Sequence, residues 1–138
     1  MTTEEKQLLL KDLSARLPYG IIASVRGSDE EFQYFHILGV KDDKVWVENN
    51  ILQVDHFKDV EVVNPYLRPM SSMTAEEIVE FYDACTGKDS NGDFHIDGSV
   101  PLTYVQEKID WLIAHHFDYR GLIEKGLALP ATDGMYNF

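Results

Sequence analysis

Hydrophobic residues near the N-terminus recur at the spacing of an α-helix. Leu9, Leu13 and Leu17 stand four residues apart, and Pro18 ends the run. Thr2 and Glu5 have the spacing of a capping box, in which each side chain bonds the backbone N–H of the other residue. The pattern therefore predicts a helix over residues 3–16.

After residue 20 the pattern changes to short runs of β-branched and aromatic residues. These runs cover residues 21–25, 32–40, 45–47 and 60–63, with polar turns at 27–29 and 41–44 and a longer loop over 49–58. Closely spaced strands with tight turns are typical of antiparallel pairing. The sequence predicts a small four-stranded antiparallel sheet, or a partial barrel.

Two to three helices are predicted in the second half of the chain. An extended connector with two prolines, residues 64–73, leads to a helix that begins with a second capping box, Thr74 and Glu77. After a polar loop over 87–98, Ser99 and Pro101 favour the start of another helix. Its buried stripe consists of Leu102, Val105, Ile109, Leu112 and His116.

A final short helix is predicted over residues 119–125. Asp118 has the character of its N-cap and Gly126 that of its left-handed end. The tail to residue 138 has little periodicity. Together the elements indicate a single α+β domain over residues 1–138.

The charge balance excludes two classes of partner. The 138 residues contain 24 acidic and 12 basic side chains, a net charge of −12, with the excess spread along the chain. An acidic surface without a Lys/Arg cluster repels phosphate backbones and anionic lipids, so direct binding to nucleic acid or to a membrane is not expected. A basic protein surface remains a possible partner.

The compartment is predicted from what the sequence contains. The one cysteine cannot form an internal disulfide, which favours a reducing compartment such as the cytoplasm. We find neither a run of 18 apolar residues nor the pattern of a signal peptide. The sequence also lacks the common nucleotide, hydrolase and zinc motifs, so no cofactor and no metal are predicted.

His115, His116 and Asp118 form the densest group of chemically capable side chains. Adjacent positions on a helix point about 100° apart, so the two histidines cannot chelate one metal ion from a regular helix. Asp118 could orient one imidazole as a general base, but no serine or cysteine nucleophile lies nearby in sequence. The alternative is structural, because histidines near a helix C-terminus bond free carbonyls and interact with the helix dipole.

Two further features are interpreted as structural. Cys85 falls at the end of a predicted helix, where the dipole disfavours a thiolate, so it is predicted to be a buried small side chain. Residues 89–97 place oxygen-bearing side chains as in a calcium loop. However, Phe94 replaces the glycine of the sharp turn and Val100 replaces the bidentate glutamate, so a solvated loop is favoured over a cation site.

Tyr66, Arg68, Tyr119 and Arg120 are the candidates for binding a partner. Tyrosine and arginine dominate protein-binding hot spots, and arginine is scarce in this chain. The alternative is that the arginines form internal ion pairs, or stack so as to hold the connector against the helices. Aromatic residues such as Tyr34 or Trp46 could be exposed and bury against a second copy of the chain, but periodicity does not distinguish this from burial in the core.

Two segments carry a resemblance. Residues 65–74, PYLRPMSSMT, and 110–137, DWLIAHHFDYRGLIEKGLALPATDGMYN, resemble short hypothetical proteins of gut Bacteroidetes, their prophages and related phages. These pair a strand-rich N-terminal half with the same connector and ending. The resemblance implies an accessory gene in a bacterial or phage cytoplasm and carries no activity or catalytic residue with it.

Three hypotheses about function follow. The first is a non-catalytic protein-binding or regulatory accessory protein of a bacterium or phage. The second is an acidic decoy that imitates nucleic acid and occupies a host protein. The third is a small hydrolase or metal-dependent enzyme that uses His115 or His116 with Asp118. The absence of catalytic motifs favours the first.

Overall fold

The fold is α+β. The computed structural model describes residues 1–27, 34–49, 51, 53–84 and 102–136. The helices are α1 (Thr3–Arg16), α2 (Ala75–Ala84) and α3 (Leu102–Ala114). The strands are β1 (Ile22–Val25), β2 (Phe35–Lys41), β3 (Lys44–Asn49), β4 (Asp55–Asp59), β5 (Val63–Leu67) and β6 (Leu129–Pro130).

The sheet has six strands, so the prediction of four is wrong. Their order is β4-β3-β2-β1-β5-β6, and all neighbours are antiparallel except β5 and β6. Among the described residues the two edges, β4 and β6, are not paired with each other, so the sheet stays open. Strand β4 covers the end of the predicted loop over 49–58 and the residue after it. Strand β5 begins at the last residue of the predicted run 60–63 and continues into the predicted connector, and β6 lies in the tail.

Each missed strand has a physical reason. Strand β4, with the sequence DHFKD, has no β-branched residue and a single aromatic one. Strand β5 contains Pro65, which lies opposite Ala23 of β1. The hydrogen bond from Arg26 N–H to Val62 O shows that Val62 and Asn64 turn their backbone groups toward β1. Pro65 follows Asn64 and is out of phase with these two residues, so its nitrogen faces away from β1 and the missing N–H costs no bond to β1.

Residues 60–62, predicted as a strand, form a short 3-10 turn before β5.

Helix α1 covers one face of the sheet. Leu9 and Leu13 of α1 pack on alternate residues of the strands. These sheet residues are Ala23, Val25, Phe35, Ile37, Val45, Val47, Val63 and Leu67. Burying this apolar face drives the fold. The helix has the predicted bounds, and the capping box of Thr2 and Glu5 is confirmed.

Helices α2 and α3 pack together around a second, smaller core. Trp111 and Phe117 are buried there, with Phe81 of α2 packed against them. The predicted capping box of Thr74 and Glu77 is confirmed at the start of α2. The interpretations of Cys85, Ser99, Pro101, the polar loop 87–98 and the calcium-like segment 89–97 lie outside the described residues.

The predicted final helix over 119–125 is wrong. Residues 119–126 form turns instead, closed by hydrogen bonds from Gly126 N–H to Ile123 O and from Leu127 N–H to Leu122 O. This is the pattern of a helix C-terminus without a preceding regular helix. Gly126 does have the expected left-handed backbone, with φ of 74°.

Candidate functional site

Helix α3 ends at Ala114, two residues before His116. His116 is therefore not the last member of the apolar stripe of α3, contrary to the prediction. The N–H of His116 donates to Ile113 O at 3.0 Å, and the N–H of Phe117 donates to Leu112 O at 2.9 Å. These two bonds make a Schellman motif in which His116 holds the left-handed position usually taken by glycine, with φ of 65°. The positive φ turns the chain back toward β5.

His116 is buried in this turn. It is 4% exposed, and its ring stacks on Tyr136 with centroids 3.7 Å apart. Burial lowers the pKa of His116 to about 4, and the positive charges of Arg16 and Arg68 act in the same direction. The ring is therefore neutral at pH 7, and it is a weak base for proton abstraction.

His115 is held by α3 itself. Its ring stacks on Trp111 with centroids 3.9 Å apart, and its Nδ1 lies 2.9 Å from the Trp111 carbonyl oxygen. Its Nε2 lies 3.7 Å from Glu80 of α2. The Trp111 carbonyl also accepts from His115 N–H at 3.1 Å, so it is not one of the free carbonyls that the sequence analysis expected a histidine to bond. The contacts with Trp111 lie within α3 and the turn after it, and the approach to Glu80 reaches α2.

Asp118 bonds the backbone of the following turn. Its Oδ1 accepts from Leu122 N–H at 2.8 Å, and its Oδ2 accepts from Ile123 N–H at 3.0 Å. An N-cap side chain accepts from the N–H two or three residues further on, whereas Asp118 accepts from the N–H groups four and five residues on. The predicted N-cap role of Asp118 is therefore wrong. Because both of its oxygens accept from backbone N–H groups, the carboxylate closes this turn rather than orienting either imidazole.

Arg68 is the junction between β5, α2 and the end of α3. Its guanidinium donates to both carboxylate oxygens of Glu77, at 2.6 and 2.7 Å, and lies 4.1 Å from the ring centroid of Phe117. This forked ion pair lowers the pKa of Glu77 to about 2. Arg68 thus has the internal role that was the alternative to partner binding.

Arg120 is also directed inward, toward α1. Its Nε lies 3.1 Å from Asp12 Oδ1, and its guanidinium carbon lies 4.9 Å from the ring centroid of Tyr119. Asp12 also accepts from Arg16 at 2.8 Å, and both of these α1 side chains are 0% exposed. Arg16 in turn donates to Phe117 O at 2.7 Å. Tyr119 is half-buried beside this charged cluster.

Tyr66 points to the sheet face opposite α1. Its ring lies near Tyr34, with centroids 5.7 Å apart. Its carbonyl accepts a 2.7 Å hydrogen bond from Tyr136 Oη, which also accepts from Ile22 N–H at 2.9 Å. The four predicted binding residues therefore do not form one exposed surface, because Arg68 faces α2 and Arg120 faces α1.

A cleft of about 490 Å³ lies between α2 and the C-terminal segment. Its lining includes the carboxylates of Glu76, Glu80 and Asp133 and the Arg68–Glu77 ion pair. In the part of the chain that the structure describes, no three histidine, cysteine or acidic side chains are grouped so as to hold a metal ion.

Two exposed aromatic side chains lie opposite each other on β3 and β4. Trp46 is 36% exposed and Phe57 59% exposed, and their rings stack with centroids 6.1 Å apart. Leu38 of β2 and Tyr34, which directly precedes β2, are also exposed. We call Tyr34, Leu38, Trp46 and Phe57 the aromatic face. The sequence analysis left open whether Tyr34 and Trp46 are exposed or belong to the core, and the structure shows both exposed. Phe57 was missed because β4 was taken for a loop.

Three neighbours fix the orientation of Trp46. Its Nε1 donates to Asp55 Oδ2 at 2.7 Å, Phe57 packs against one side, and Gly39 lies under its edge. A Cβ at Gly39 would lie 3.4 Å from Trp46 Cε3, which is an ordinary contact distance, so the indole packs closely against the backbone of β2 at this position. The indole is therefore held in one orientation although it is exposed to solvent.

Across the helices that the structure describes, none has the length and apolar character needed to cross a membrane. Comparison of the chain with protein-family models, with curated proteins and with solved structures found no match.

Proposed function

We propose that this chain is a non-catalytic protein-binding protein, an accessory or regulatory protein of a bacterium or phage, and that the aromatic face is its binding surface. The observation that carries the proposal is the stacked pair of Trp46 and Phe57, ordered and exposed at one end of the sheet. Trp and Tyr are the residue types that dominate hot spots, and Phe is also enriched at interfaces.

The orientation of Trp46 supports this proposal. Binding loses affinity when side chains must be ordered on contact, and Trp46 is already held by Asp55 and Phe57. The other interpretation is that the pair only stabilises the β3–β4 hairpin, which a cross-strand aromatic pair does by roughly 0.2–1 kcal/mol. The two interpretations differ in what the loss of both rings does to partner binding.

The enzyme hypothesis has less support from the same residues. His115, His116 and Asp118 each have contacts that belong to the end of α3 and the turn after it. Arg68 and Arg120 have internal carboxylate partners. For this reason the proposal rests on the aromatic face rather than on Arg68, Tyr119 and Arg120.

The test is retention of a host protein by the immobilised chain. Trp46→Ala combined with Phe57→Ala is expected to reduce the retained amount of a specific partner by about tenfold or more, because hot-spot pairs contribute at least about 2 kcal/mol. The matched control is Val79→Ala with Tyr82→Ala, two similarly exposed side chains of α2. Equal retention by wild type and the aromatic-face variant would reject this surface.

A further inference from the structure

Strand β4 has an open edge whose unpaired backbone groups can be assigned. Asn49 N–H donates to Val54 O and Val60 N–H donates to Asp43 O, so the alternation directs residues 54, 56, 58 and 60 toward β3. The backbone groups of Asp55 and Phe57 and the N–H of Asp59 therefore point away from the sheet. Among the described residues nothing pairs with them.

The side chains of the same three residues share the sheet face that carries Trp46. Phe57 lies opposite Trp46, Asp55 opposite Glu48, and Asp59 opposite Lys44. The edge thus presents acid, aromatic and acid at alternate positions. Asp59 forms an ion pair with Lys44, but both side chains remain about half exposed. The carboxylate of Asp59 can therefore also interact with a cationic side chain of a partner.

We infer that β4 docks an extended segment of a partner protein by strand addition, and that this segment carries a cationic, an apolar and a cationic side chain at alternate positions. The inference rests on the proposed function, since it names the partner of the aromatic face. In a paired strand the residues opposite Asp55, Phe57 and Asp59 face the same side, so the cations meet the two carboxylates and the apolar side chain covers Phe57.

Charge selects this occupant over a second copy of the chain. Antiparallel pairing of β4 with another β4 about Phe57 would place Asp55 of one copy opposite Asp59 of the other, and like charges directly opposite are destabilising. The charged residues that protect this edge from self-pairing thereby favour a basic strand. The net charge of −12 also attracts a basic segment over distance.

The test is a titration of the 15N-labelled full chain with the peptide acetyl-Ser-Lys-Thr-Val-Thr-Lys-Ser-amide. The control peptide has glutamate in place of both lysines. We expect amide shifts at Asp55, Phe57 and Asp59 that exceed those at His56 and Lys58. The lysine peptide is expected to bind about tenfold or more tightly than the control. Equal binding of both peptides, or shifts confined to the acidic cleft, would overturn the inference.

The backbone contribution is isolated at Phe57. Phe57→Ala removes the ring, and Phe57→Pro removes the ring and the outward N–H without removing a bond to β3. We expect Phe57→Pro to bind the lysine peptide about threefold or more weakly than Phe57→Ala. If the proline variant does not fold, the amide pattern of the wild type decides by itself.

Failure of strand addition can be told from failure of the proposed function. A host protein that is lost with Trp46→Ala and Phe57→Ala, together with no peptide binding at β4, overturns only strand addition. A host protein retained by that variant overturns the aromatic face as well. A dimer in sedimentation that Phe57→Pro dissociates would assign the edge to a second copy and overturn the inference.

Discussion

His116 occupies a backbone conformation that glycine adopts at no steric cost. In this left-handed conformation a residue with a side chain is destabilised by about 1 kcal/mol relative to glycine. We therefore expect His116→Ala to lower the free energy of unfolding by about 1 kcal/mol more than His116→Gly, although both lose the buried ring. Urea denaturation of the two variants measures the difference. A His116→Ala protein as stable as His116→Gly would contradict the assigned turn.

The same residue gives the protein a pH dependence. The pKa of His116 is about 4 in the folded chain, against an ordinary value of 6.5, because of burial and then the nearby charges of Arg16, Arg68 and His115. Between these two values the unfolded chain binds the additional proton. The free energy of unfolding must then fall as the pH falls from 6.5 to 4. The stability that the neutral His116 contributes is fully present above pH 6.5.

We expect His116→Gln to remove this loss, which amounts to at most about 3 kcal/mol. The measurement is urea unfolding of wild type and variant at several values between pH 7 and pH 4. The two curves of free energy against pH should converge toward acid. Parallel curves would show that the pKa of His116 is the same in the folded and the unfolded chain, which would contradict the prediction.

The buried pair of Asp12 and Arg16 should be among the most sensitive polar positions. Asp12→Ala leaves the guanidinium of Arg16 buried without its carboxylate and removes the partner of Arg120, so we expect a loss of about 3–5 kcal/mol. The control is Glu61→Ala, which breaks the exposed ion pair with Lys6 and should cost less than about 1 kcal/mol. Equal losses in chemical denaturation would refute the buried assignment.

At the scale of elements, the Arg68–Glu77 ion pair joins β5 to α2. A double-mutant cycle with Arg68→Met and Glu77→Gln should give a coupling energy of about 1–3 kcal/mol, because the pair is forked and mostly buried. Thermal or urea unfolding of the wild type, the two single variants and the double variant measures this coupling energy. A coupling near zero would mean that the contact does not hold α2 to the sheet.

The elements that the sequence analysis predicted correctly are those that local chemistry determines. The capping boxes at Thr2 and Thr74 depend on residues three positions apart, so their spacing is visible in the chain. Strands β4 and β5 depend on neighbours supplied by the rest of the sheet. Nothing local in DHFKD marks β4, and only the alternation toward β1 explains why Pro65 is accepted in β5.

At the scale of the whole molecule, the catalytic candidates His115, His116 and Asp118 belong to a contact region between α1, β5 and the end of α3, which we call the joint. Arg16 of α1 donates to the carbonyl oxygen of Phe117, Arg68, which directly follows β5, stacks on the Phe117 ring, and Tyr136 stacks on His116. The sequence showed the residue types but not their partners. Asp12 and Arg120 are 108 positions apart, and no spacing rule connects them. The same limit hid Phe57, whose exposure depends on where β4 lies.

The central claim is that the aromatic face binds and that the histidines of the joint do not. The most direct measurement is photo-crosslinking of the partner with a benzoyl-phenylalanine placed either at position 57 or, as the control, at position 82 on α2. The same experiment is repeated at position 57 in a His115→Gln, His116→Gly chain kept at a temperature where it is folded. We expect a specific crosslink from position 57, none from position 82, and an unchanged yield without the histidines. A crosslink from position 82 alone, or a yield that disappears with the histidines while the chain stays folded, would contradict the account.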